Sequence, residues 1–202
     1  MITIFFIIAL IFSVIIHEIS HGYIALKLGD TTAKDAGRLT LNPLKHIDIF
    51  GSIILPLTLA LSGAPVFGWA KPVPYDPRFL ANPKKASGLI ALAGPASNLT
   101  LAIIFSSIAR FLATLPATDF LGSLILFIII VVQVNVSLAV FNLLPIPPLD
   151  GSGVLFSFLP RSAEPLQVFL QKFGIYILIF LVFSGLSFLS PIMSFLYGLL
   201  LG

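Results

Sequence analysis

Four stretches of this chain are apolar for the length that crosses a bilayer, and no other feature limits its fold as strongly. A hydrocarbon core of ~30 Å takes about 20 residues of α-helix. Residues 2–26, 88–113, 122–144 and 174–200 meet that length. Pro191 lies inside the last and is expected to kink it. Composition agrees: 58% of the residues are hydrophobic and 9% are charged, whereas a soluble domain carries about 25% charged residues. Residues 2–16 resemble the apolar part of a signal peptide. No basic region precedes them, however, and no small-residue cleavage site follows before His17. The run is therefore expected to remain as a membrane helix.

A fifth apolar stretch, 49–67, is interrupted by Gly51, Pro56, Gly63 and Pro65 and is either a span or a re-entrant segment. Loop charges bear on the choice. Lys27, Lys34, Arg38 and Lys45 fall in 27–47, Lys71, Arg78, Lys84 and Lys85 in 70–87, and Arg161 and Lys172 in 160–172, while 114–121 holds no basic residue. The positive-inside rule places the three basic segments in the cytoplasm and the N-terminus outside. Segments 27–47 and 70–87 share a side only if 49–67 enters and leaves on that side, so the re-entrant reading is favoured over a full span. Residues 37–41 and 66–71 alternate weakly, like strands, and the prolines at 72, 74 and 77 confine the second to a sheet edge. The expected fold is an all-α polytopic membrane protein of about four to six membrane segments with a small membrane-associated β element. No repeat or appended soluble domain is visible, so 1–202 is expected to form a single domain. The net charge of +3 arises without a basic, aromatic-interleaved patch, which argues against nucleic acid as a partner. The absence of cysteine excludes disulfides, thiolate metal sites and a cysteine nucleophile.

The chemistry concentrates at His17-Glu18-Ile19-Ser20-His21. Positions i and i+4 of a helix share a face, so both imidazoles can bind one ion. Glu18, beside the first, can take the proton of an attacking water. The alternative is a polar helix end with incidental histidines, but an ionisable residue at the centre of a membrane helix costs about 2.5–3.5 kcal/mol. Catalytic zinc takes about three protein ligands, and a third must come from elsewhere. Asp150 follows the helix-breaking run Asn142-Leu143-Leu144-Pro145-Ile146-Pro147-Pro148-Leu149 and is the leading candidate. Against it stand a capping role for Asp150 and two competing ligands, His46 and Asp48. Asn142 and Asn135 are seven residues apart and share a helical stripe. The Asn142 amide can donate to a developing oxyanion, whereas Asn135 and Gln133 are expected to bond between helices. Gly94-Pro95-Ala96-Ser97-Asn98 interrupts another span with small residues that permit close helix approach, and Asn98 can bond across it.

Together these residues resemble the site-2 protease family of intramembrane zinc metalloproteases. The resemblance rests on HEISHG at 17–22, AGPASN at 93–98 and NLLPIPPLDG at 142–151. FGWAKPVPYDP at 67–77 and LNPLKHID at 41–48 are similar to the family's compact subgroup, and coverage runs over about residues 10–155. The resemblance implies one zinc ion held by His17, His21 and Asp150, Glu18 as general base, a supporting role for Asn142, and cleavage of a membrane-spanning substrate segment. The PDZ and CBS domains of some relatives are absent. A substrate helix must unwind before cleavage, and the expected partner for its freed amides is the edge around Phe67, Gly68 and Trp69. A single-span membrane protein is thus the expected substrate, and a prokaryotic cell membrane the expected location. The rival reading is a metal-ion transporter using the His/Asp cluster as its transport site. Transporters often carry internal repeats, which this chain lacks, and a transporter needs no base at Glu18.

Overall fold

The computed structural model describes residues 2–65 and 68–202. Its elements are α1 (Ile2–Lys27), α2 (Thr32–Asp35), α3 (Leu55–Ser62), α4 (Pro83–Leu112), α5 (Asp119–Asn142), α6 (Asp150–Phe158), α7 (Glu164–Phe183) and α8 (Ser190–Leu201). Helices α1, α4 and α5, and α7 with its preceding turn, are long and apolar enough to cross a membrane. The protein is an all-α polytopic membrane protein.

Helix ends follow local side-chain chemistry. The Asn82 side chain accepts the N–H of Lys85, with Pro83 in the first helical turn, so α4 begins five residues before its apolar run. Thr118 accepts the N–H of Leu121 and starts α5. Helix α4 lies at the centre, touching α1, α5, α6 and α8. Lipid is as apolar as leucine, so close packing rather than water exclusion holds such helices together, and the contacts are accordingly made by small residues. Buried Ala9 meets Ile130, Val131 and Val134 of α5, and Ala102 meets Val132 and Val136 beneath Leu196 and Leu200 of α8. Gly88 faces Ser157 and Gly153 faces Ala91, which draws α6 onto α4. The large residues Ile4, Phe6 and Ile8 of α1 face outward, toward lipid.

Two expectations need correction. The single span 174–200 does not form. Helix α7 starts at Glu164, with Pro165 in its first turn, and ends at Phe183. Gly185 then takes a left-handed φ of 81°, and α8 begins at Ser190 with Pro191 in its first turn. Pro191 starts a helix instead of kinking one. The β element is also absent among the described residues. Residues 37–41 form a turn and bend, with Gly37 at a left-handed φ of 63°, and 68–76 carries neither turn nor ladder, since Pro72 and Pro74 lack the donors a ladder needs. Val66 and Phe67 of the second expected strand lie outside the described residues. In the fifth apolar stretch, one π-helical turn (Phe50–Ile54) leads into α3. The continuous helical stretch Phe50–Ser62 is about 20 Å long, short of the ~30 Å core.

Candidate active site

The motif at 17–21 sits in the second half of α1, with His17 ten residues before Lys27. That is about 15 Å from the helix end. His17 is buried and His21 nearly so, and their rings meet edge to face with centroids 4.7 Å apart. Each ring is fixed through Nδ1. His17 donates to Asn98 Oδ1 at 2.6 Å, and His21 donates to the Ile90 carbonyl at 2.6 Å. A carbonyl can only accept, so His21 carries a proton on Nδ1, and in the neutral ring this leaves the Nε2 lone pair free. The Asn98 amide is oriented by its own Nδ2, which donates to Asn135 Oδ1 at 2.8 Å, so His17 has the same tautomer. Asn135 Nδ2 in turn donates to Ser13 Oγ and to the Val131 carbonyl, both at 2.8 Å. Asn98, Asn135 and Ser13 are fully buried, and the network ties α1, α4 and α5 together behind the imidazoles.

Asp150 is the first residue of α6, and it is aimed at the two bare nitrogens. Its Oδ2 lies 3.1 Å from His17 Nε2 and 3.4 Å from His21 Nε2. Gly151 makes this possible, because a Cβ there would strike the Leu143 and Leu144 carbonyls at the end of α5. Asp150 Oδ2 is buried and has no hydrogen-bond donor among the described residues. Asp150 does not occupy the capping position: the N-cap of α6 is Leu149, and among the described residues no side chain caps the helix. Three lone-pair-bearing atoms within 4.8 Å of one another repel unless a proton or a metal cation lies between them, and they form a group that could hold a metal ion. Zinc fits: ligand atoms at the corners of a tetrahedron with arms of about 2.05 Å are about 3.3 Å apart, close to the two separations observed. Gly94 leaves the room. A Cβ on it would lie 2.5 Å from His17 Cε1 and 2.5 Å from His21 Nε2. His46 is outside this group, since its Nε2 bonds the Thr40 carbonyl at 2.8 Å. Asp48 instead accepts the N–H of Gly51 at 2.7 Å.

A model of peptidase family M50 matches residues 5–123 and 116–185. The chain belongs to peptidase family M50. Among the relatives of this M50 member, the Bacillus subtilis protein named "Putative zinc metalloprotease YwhC" is 39% identical over 198 residues, covering 95% of this chain and 83% of that one. "Putative zinc metalloprotease Rip2" of Mycolicibacterium smegmatis is 34% identical over 173 residues, 85% of this chain and 64% of its own. A Methanocaldococcus jannaschii protein, "Putative zinc metalloprotease MJ0611", is 46% identical over 70 residues, 34% of this chain and 33% of its own. No solved structure matches the chain significantly. The M50 member is thus a multi-pass zinc metalloprotease working in a lipid bilayer, and the transporter reading falls away. Relatives from bacteria and an archaeon fit a prokaryotic protein.

Glu18 accepts the N–H of Val73 at 2.9 Å through Oε2. Asn142 ends α5, half-buried, and its Nδ2 donates to the Leu138 carbonyl at 3.0 Å. Gly68 packs on the Gly51 carbonyl, and Trp69 lies over Gly51 with its ring 5.9 Å from that of Phe50. Phe67 lies outside the described residues. Sequence reasoning missed Val73 and the Ile90 carbonyl, both of which act through backbone groups that leave no sequence signal. It also missed Ser13, one turn before His17 and on the same face.

Proposed function

We propose that this protein is a zinc-dependent intramembrane endopeptidase that cleaves transmembrane segments of single-span membrane proteins, with 1–202 acting as one domain. The observation that carries this reading is the convergence of His17 Nε2, His21 Nε2 and Asp150 Oδ2 about 15 Å inside an apolar helix. A metal site at that depth reaches peptide bonds that lie within a bilayer, beyond soluble substrates.

In this reading His17, His21 and Asp150 would hold one zinc ion, and Asn98 and the Ile90 carbonyl fix the two rings. When bound, the ion polarises the scissile carbonyl and acidifies a water. Glu18 takes the proton of the attacking water and returns it to the leaving amide nitrogen. Asn142 donates to the developing oxyanion after its amide leaves the Leu138 carbonyl. Gly94 and Asn135 support the site by space and by hydrogen bonding. Phe67, Gly68 and Trp69 receive the unwound substrate segment. The distribution of lysine and arginine supports an external N-terminus, an active site near the cytoplasmic side and a re-entrant 49–67.

The test is incubation of the purified protein with a panel of single-span substrates, with and without a chelator. Cleavage within the spans, abolished by chelator and by Glu18→Gln, is expected. Cleavage confined to soluble tails would refute the intramembrane assignment.

A further inference from the structure

Glu18 and Gly22 share a face of α1, one turn apart. Across this face runs the extended segment 68–76, and its Val73 N–H is the donor to Glu18 Oε2. The approach depends on Gly22: a Cβ there would stand 2.6 Å from Leu39 Cδ2 and 2.9 Å from Val73 Cγ1. Pro72 and Pro74 flank Val73 and have no N–H, so no ladder can hold this stretch in register.

The segment is held by pins on both sides. Two residues upstream, both backbone groups of Lys71 are taken. Arg38 Nη2 donates to its carbonyl at 2.6 Å, and its N–H donates to the His46 carbonyl at 2.9 Å. Arg38 is only 6% exposed, and its Nε meets no acceptor among the described residues. Burying a guanidinium so sparsely bonded is costly, and the bond to Lys71 is what the cost secures. Three residues downstream, the Asp76 N–H donates to Asp30 Oδ2 at 2.7 Å, and Asp30 is fully buried.

We propose that the Val73 N–H is a positioning group for the Glu18 carboxylate, and that Arg38 is a positioning residue acting on Glu18 through Lys71. One carboxylate oxygen is tied to the strap, and the other is left for the attacking water. A free glutamate side chain samples several rotamers, whereas this one is held beside the imidazoles before substrate arrives. The inference rests on the reading of Glu18 as the base.

The test uses the full chain, a single-span substrate and six variants. Arg38→Met should lower kcat by about 10- to 100-fold, with KM changed by less than about twofold and with zinc content and thermal midpoint retained. Arg38→Lys, whose ammonium can still donate to the Lys71 carbonyl, should recover most of the loss. Val73→Pro, which deletes the donor, should fall well below Val73→Ala, which loses only side-chain packing. Arg38→Met combined with Val73→Pro should lose no more than Val73→Pro alone, since both act through one bond. Equal activity of Val73→Pro and Val73→Ala would overturn the proposal. So would an Arg38→Met effect on KM alone, or a loss of zinc or thermal midpoint in both Arg38→Met and Val73→Pro, which would make the strap merely structural. Unimpaired cleavage by Glu18→Gln would instead overturn the base assignment itself.

Discussion

Replacing Gly94 with alanine should deprive the protein of its metal while leaving its fold standing. The new Cβ would lie 2.5 Å from His17 Cε1, 2.5 Å from His21 Nε2 and 2.6 Å from His17 Nε2, where ordinary contact begins near 3.4 Å. The imidazoles must therefore retreat by roughly 0.9 Å. Neither can swivel away freely, because each Nδ1 is bonded, one to Asn98 and the other to the Ile90 carbonyl. Metal–ligand distances tolerate about 0.2 Å, so the shift exceeds the tolerance about fourfold. The effect on folding is smaller. Alanine in a helix gains about 1 kcal/mol over glycine, against an overpacking cost of about 1–3 kcal/mol. Zinc affinity should fall about 100-fold or more, the upper end of what losing a ligand's support costs. The assay is zinc per chain by metal analysis after equilibration against graded chelator, paired with a thermal melt. Gly122→Ala is the comparator, since a Cβ there meets nothing within 4 Å among the described residues. If Gly94→Ala resists chelator as the parent does, the histidine cradle is not the zinc site.

Asn98→Leu removes the acceptor from His17 Nδ1 and strands Asn135 Oδ1, and should weaken zinc binding by about 10- to 100-fold in the same titration. Asp150→Ala should lose zinc while His46→Ala keeps it; the opposite result would give His46 the third-ligand role. Asp30 gives a pH dependence. Burial alone would raise its pKa, but the hydroxyl and N–H of Thr32 and the N–H of Asp76 outweigh that effect and hold the carboxyl below its usual range. A group with a depressed folded pKa stabilises fully above its unfolded value of about 3.9 and ceases to do so as pH falls through the folded value. The stability gap between the parent and Asp30→Asn should therefore be flat from about pH 5 to 8 and shrink below about pH 4, as read by melting across pH. Cysteines placed at Lys34, Lys84 and Arg161 should resist an impermeant thiol reagent on intact cells, while one at Thr118 reacts. Labelling at position 84 would make 49–67 a full span.

Local chemistry explains what could be read in advance. A span is written in contiguous residues, since lipid is the solvent for the whole helix and each backbone bond closes within four positions. The spans at 2–26, 88–113 and 122–144 therefore reappear as α1, α4 and α5, with ends shifted by capping residues. The histidine pair was legible for the same reason, because an i, i+4 spacing is a local fact of one helix. The misread span at 174–200 failed although its signals were present. Gly185 and Ser190-Pro191 punctuate the stretch, but hydropathy runs across the break and masks the turn. The β element failed because alternation marks extended backbone without saying whether a partner strand exists, and here side chains and single carbonyls hold the segment.

Tertiary structure decided everything that depends on two elements meeting. Sequence alone determined the membrane-embedded helices, the histidine pair and a short set of acids that could join it. Only packing brought Asp150 of α6 to those nitrogens and left His46 bonded elsewhere. Only packing set Asn98 behind His17 across 81 residues and the Val73 N–H on Glu18 across 55. Helix formation is governed by bonds between near neighbours, and so can be read from a window. The convergence of His17, His21 and Asp150 depends on how glycines such as Gly22, Gly94 and Gly151 let remote backbones approach, and a window does not contain that information.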